Sequence, residues 1–303
     1  MMNRILEWVT HIFDPIHHFW EGDRTQKAVA GGLVAVFLLS LLTIELKRRG
    51  WLPQDLADQI PYSHFAAVSL AFTLLLVLEV IGLIMTLPCS VSRSVGKQLE
   101  IMALILMRNA FKELGYFTEP VVLEGGMEHL WPIISSGLGA MAIFACLGVY
   151  YRMAERAPRI LQKGVDRFRF IASKKAIALV MLAGFVIAGG QHLYHAWQGT
   201  AHTGFFIAFY TALIFADILI VLISQQHLPV FHAVFRNSGY ALATLFMRLS
   251  LTAPKYWDAG LGVFSALFAL AVVVLHTQFC PVFGPSLSEV NDPHAGQDAA
   301  DTS

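Results

Sequence analysis

HFAAVSLAFTLLLVLEVIGLIMT, residues 64–86, aligns without a gap on HTGFFIAFYTALIFADILIVLIS, residues 202–224, which sets His64 on His202, Thr73 on Thr211 and Glu79 on Asp217. Each stretch is long and apolar enough to cross a bilayer as a helix, for which about 20 residues suffice, yet each carries a carboxylate inside it. A further apolar stretch follows both times and holds an arginine. KQLEIMALILMRNAFKEL, residues 97–114, lines up with NSGYALATLFMRLSLTAP, residues 237–254, so that Met107 and Arg108 fall on Met247 and Arg248. A charge left alone at such depth costs at least ~2.5 kcal/mol on insertion scales. The pattern therefore predicts two carboxylate–guanidinium pairs inside a helix bundle, Glu79 with Arg108 and Asp217 with Arg248. Such pairs serve either a path through the bundle or only the choice of which helices pack together.

The correspondence continues past the arginines. SSGLGAMAIFACLG, residues 135–148, resembles DAGLGVFSALFALA, residues 258–271, with Gly137 and Gly139 falling on Gly260 and Gly262. Small residues of this kind, with Gly184, Ala188 and Gly189, let helix backbones approach in a membrane. Composition agrees: 56% of the 303 residues are hydrophobic, 14% are charged and the mean hydropathy is +0.60, outside the range of ordinary soluble domains. Apolar stretches lie near 28–46, 64–87, 97–114, 131–151, 176–195, 204–224, 238–253 and 259–279. The expected fold is an all-α polytopic membrane protein of two parallel four-helix repeats. It has about eight transmembrane segments, or six if the third and seventh, which hold the arginines, are re-entrant. Four spans per repeat leave both copies facing the same way, about an axis normal to the membrane.

Around these repeats, residues 1–27 form an interfacial amphipathic segment, with Trp8, Phe13, Ile16 and Trp20 among polar residues and Pro15 expected to kink it. The first repeat covers 28–151 and the second 176–280. Between them, 152–175 is a basic connection, carrying Arg152, Arg156, Arg159, Lys163, Arg167, Arg169, Lys174 and Lys175. The connection around Glu119, Glu124 and Glu128 has no lysine or arginine. By the positive-inside rule the basic connection and both termini are cytoplasmic, which fits a bacterial inner membrane. Lys47, Arg48 and Arg49 then stand on the outer side against the rule. Residues 281–303 are polar and read as a disordered tail.

Secondary candidates are few. Glu100, two turns before Arg108, aligns with Tyr240 and gives the first half an extra carboxylate. His64, His129, His192, His195 and His202 gather at the predicted outer boundary, with His192 and His195 one turn apart on the same helix. Ordinary interfacial imidazoles account for them more simply than haem or zinc ligands do, and no metal or cofactor is expected. Cys89, Cys146 and Cys280 have no CxxC spacing and suggest neither a redox pair nor a metal site. No HExxH, no GxSxG and no phosphate-binding glycine loop is present, so the reading is non-enzymatic. Nothing points to nucleic acid.

LEVIGLI around Glu79 and LILMR ending at Arg108 resemble the matching elements of the phosphate-starvation-inducible family of small bacterial membrane proteins. That family has four spans, with a glutamate in the second and an arginine in the third. The resemblance covers 64–114, and less closely 202–253, where Asp217 stands for the glutamate. It implies two such units in tandem and carries no activity with it. Two function classes remain open. One is a transporter or channel subunit for an ion or small solute, with Glu79, Arg108, Asp217 and Arg248 on or beside its path. The other is a noncatalytic scaffold or subunit of a membrane complex. A haem-binding electron carrier is a third and weaker reading. In each case the partners are membrane lipids and either copies of the chain or other membrane proteins.

Overall fold

The computed structural model describes residues 2–51, 53, 60–117, 127–156, 165–197, 205–227 and 231–279. Among them run nine helices: α1 (Met2–Glu21), α2 (Asp23–Arg48), α3 (Phe65–Thr86), α4 (Val91–Lys112), α5 (Met127–Arg156), α6 (Val165–Trp197), α7 (Phe205–His227), α8 (Phe231–Thr252) and α9 (Trp257–Phe279). A 3-10 turn, Glu113–Tyr116, follows α4. Six of them, α2, α3, α5, α6, α7 and α9, are long and apolar enough to cross a membrane. The chain is an all-helical polytopic membrane protein.

The two arginine-bearing helices are longer than the apolar runs that announce them. α4 begins at Val91 and α8 at Phe231, several residues before the hydropathy rises, and each has 22 residues. That length is about 33 Å, enough to match a hydrocarbon core of ~30 Å. Their added turns carry Ser94, which accepts from Gln98 of the same helix, and Arg236 and Asn237, the second accepting from the first and donating to Ser224 of α7. Both helices are central. Val95, Leu99, Met102 and Leu106 of α4 form one core with Ile143 and Tyr150 of α5, Tyr240 and Met247 of α8, and Ala266 and Val273 of α9. The spacing of the buried positions on α4 is helical, so one stripe faces this core along its whole length.

A second core joins Val80 and Ile84 of α3, Ala178 and Phe185 of α6, and Phe209 and Leu213 of α7. Phe13 of α1 belongs to it as well. α1 runs as one helix through Pro15 and packs on α6. Its Trp8 and Phe19 point away from the bundle. Asp14 receives the Lys175 ammonium at 2.6 Å, and Glu21 lies 3.9 Å from that of Lys97. α1 is therefore held across the ends of α4 and α6. α2 follows it with only Gly22 between, so the first long apolar helix starts at Asp23 and not near 28. It is peripheral, with Ile44 its one buried residue.

Helices reach into the basic stretch 152–175 from both sides, α5 as far as Arg156 and α6 from Val165, so less of it is a connection than the sequence implies. Arg159 and Lys163 lie outside the described residues, as do Glu119, Glu124 and the tail beyond 279. At the other end of the bundle, the basic triplet that ends α2 is engaged locally. Gly50, at φ 71, closes the helix, its N–H reaching the Lys47 carbonyl and that of Trp51 the Leu46 carbonyl. Lys47 donates to the Ile60 carbonyl, Arg48 to that of Tyr62, and Arg49 pairs with Glu45.

Candidate functional site

Glu79 sits on α3 and Arg108 on α4, and the guanidinium Nη1 donates directly to the carboxylate Oε2. Both side chains are buried, at 8% and 5% exposure. On the other side of the bundle Asp217 of α7 and Arg248 of α8 are also brought together, more loosely. Arg248 Nη2 stands 3.6 Å from Asp217 Oδ2, beyond hydrogen-bond range, and donates instead to Gln98 Oε1 of α4 at 3.1 Å. Arg248, at 1% exposure, heads the largest fully buried side chains. Its Nε and Asp217 Oδ2 have no hydrogen-bond partner. Tyr210, buried on α7, is within electrostatic range of both arginines.

A cavity of about 40 Å³ opens beside the looser pair, room for two or three waters at ~15 Å³ each. Its polar side chains are Ser94 and Gln98 of α4, Lys174 of α6, Asp217 and Ser224 of α7 and Asn237, Tyr240 and Thr244 of α8. Lys174 is 2% exposed. Its ammonium donates to the Cys89 carbonyl at 2.9 Å and lies 4.8 Å from the centre of the Phe170 ring. Lys175 turns outward to Asp14, because neighbouring helical residues are ~100° apart.

The remaining candidates are dispersed. Glu100 is exposed and accepts the Tyr151 hydroxyl of α5. His64 is 3.7 Å from Glu45, His192 stacks on Phe205 at 5.5 Å and His195 meets the edge of Tyr194 at 5.9 Å. His202 lies outside the described residues. Among those described, no three His, Cys, Asp or Glu side chains converge on a point where a metal would sit.

Lys174, Gln98, Ser94, Ser224 and Asn237 are the site residues that the sequence reading passes over. Lys174 had a signal: it shares a helical face with Ala178 and Phe185, both apolar, whereas Lys175 does not. Gln98 had none, since its partner Arg248 is 150 residues away. No family model, no curated protein and no solved structure matches the chain.

Proposed function

We propose that the chain is a subunit of a membrane transporter or channel for a small ion or solute, with the Asp217 cavity on its path. The observation that carries this is a cavity inside a membrane bundle with polar side chains set into a largely apolar wall, beside a carboxylate oxygen with no hydrogen-bond partner. A pair meant only to hold helices together gains nothing from a void, because an unpaired buried polar atom costs about 1–3 kcal/mol. Arg248, shared between Asp217 and Gln98, can shift its charge from one to the other without crossing the membrane. In this reading the chain is two parallel four-helix units with eight crossing helices, α4 and α8 included. The helix contacts support it: α2–α3–α4–α5 and α6–α7–α8–α9 pack in the same order, and α4 meets α8 as α5 meets α9. The basic end carrying Lys97, Lys174 and α1 faces the cytoplasm, in a bacterial inner membrane, and copies assemble as a homo-oligomer.

The Glu79–Arg108 contact favours a structural role for that pair, and with it the second reading, a noncatalytic scaffold. Reconstitution decides between them. Purified protein in liposomes is expected to pass protons, alkali cations or small anions above the empty-liposome leak, and Asp217→Asn to lower that flux at least tenfold while the protein stays folded. Leak-level flux for every ion tested, in wild type and variant alike, would leave the scaffold.

A further inference from the structure

Lys174 brings a charge into the cavity that nothing there balances. Its ammonium has three donors, of which the Cys89 carbonyl takes one, and no carboxylate among the described residues pairs with it. Asp217, on the same cavity, already faces Arg248. With Asp217 set against Arg248, the Lys174 ammonium is the charge left over, and half-buried Arg236 stands nearby, on Asn237. A buried ammonium without a counter-charge is costly.

Two chains of hydrogen bonds around it run the same way, while the Thr244 hydroxyl donates to the Ala241 carbonyl of its own helix. A guanidinium only donates, so Arg248 fixes Gln98 with its Oε1 toward itself and its amide nitrogen toward Ser94, which accepts at 3.1 Å. Likewise Arg236 holds the Asn237 Oδ1 at 3.1 Å, and the Asn237 amide nitrogen donates to Ser224 at 2.7 Å. Both serine oxygens are therefore occupied as acceptors, and each keeps its own proton to donate. Neither has an acceptor for that proton among the described residues. Two chains, each headed by a guanidinium and each polarised along its length, end as hydroxyl donors on one cavity with the Lys174 ammonium.

We propose that this cavity binds a small monovalent anion, with Lys174 as its counter-charge and the hydroxyls of Ser94 and Ser224 as donors. One excess charge and about 40 Å³ fit an ion of chloride to formate size. Asp217 lies a further two helical turns beyond Ser224 along α7 and keeps the anion at the Lys174 end. As a statement about cargo this rests on the transport reading above; as a statement about binding it does not. A lipid phosphodiester offers the same single negative charge, so it enters the test as a separate arm.

Full-length protein in neutral detergent and a gluconate buffer is titrated with sodium chloride, nitrate or formate, and separately with phosphatidylglycerol. The unfolding midpoint is expected to rise saturably with one of the small anions. Alkylation of Cys89 is expected to slow in parallel. Burial already pushes that thiol above the ordinary cysteine value, against the pull of Lys97 and Lys174, and a bound anion offsets that pull. Lys174→Gln should fold, since it deletes a buried charge, and lose the saturable response. Ser94→Ala and Ser224→Ala should each weaken apparent affinity about tenfold. A response that never saturates, one that persists in Lys174→Gln, or one confined to phosphatidylglycerol overturns the proposal. If the anion binds and no ion crosses liposomes, the site stands and the transport reading falls. If cation flux is undiminished in Lys174→Gln and no anion binds, the reverse holds.

Discussion

Arg108 and Arg248 occupy matching places and meet their carboxylates differently. Arg108 has Glu79 in direct contact, so removing the carboxylate leaves a buried guanidinium without a counter-charge. Glu79→Gln is expected to cost about 3–5 kcal/mol, and Glu79→Leu combined with Arg108→Met to recover most of it. Unfolding midpoints in detergent measure both. Asp217→Asn should cost less than Glu79→Gln, because Gln98 still receives the Arg248 guanidinium. Both pairings are suggested by sequence through the duplication and through depth: helix rise puts each carboxylate about 22 Å from the histidine that opens its span, in the inner half of the membrane, within reach of a long arginine side chain on the next helix. Gln98 and the two serines are not accessible that way. A polar side chain on a membrane helix looks the same in sequence whether it meets solvent, lipid headgroup or a guanidinium from the other half.

At the level of elements, α4 and α8 are less apolar over their length than α3, α5, α6, α7 and α9, and both contribute to the central core, enclosed by protein. Lipid tolerates no bare Ser, Gln or Arg, whereas a helix surrounded by others can pair them. Hydropathy locates six helices and understates these two for that reason. Glycine spacing is equally incomplete as a guide. A side chain on Gly139 would come within 2.9 Å of the Ala259 Cβ and 3.4 Å of its Cα, where α5 crosses α9. Gly137, two residues earlier, has nothing within 4 Å. Gly139→Val is thus expected to destabilise by about 1–3 kcal/mol through overpacking, and Gly137→Val by much less. The same pair of thermal scans tests both. In sequence the two glycines look alike, because which one faces α9 depends on a crossing angle that only packing fixes.

Over the whole molecule, the turn after α4 is tied to the start of α9: the Lys255 ammonium reaches Glu113 at 2.7 Å. That hydrogen bond raises the Lys255 pKa. A raised lysine contributes its stability in full below the unfolded value of 10.5 and loses it as pH climbs through the folded one. Lys255 is half exposed, so the amount is at most about 1 kcal/mol. Glu113→Gln should therefore lower the unfolding midpoint slightly at pH 8 and not at all once Lys255 has lost its proton in the folded state. The enclosure of α4 and α8 bears finally on biosynthesis. Insertion into a membrane proceeds from the N-terminus, and a segment carrying an arginine partitions less well by itself, by up to about 3.5 kcal/mol at a helix centre and by less near an end, where Arg108 and Arg248 stand one turn from the last residues of α4 and α8. Each of these two helices is flanked by strongly apolar neighbours, α3 and α5 for one, α7 and α9 for the other. On the eight-span reading, each arginine-bearing helix is expected to settle only once its following apolar neighbour has been delivered, so that α3, α4 and α5 would enter the bilayer as one group and α7, α8 and α9 as another.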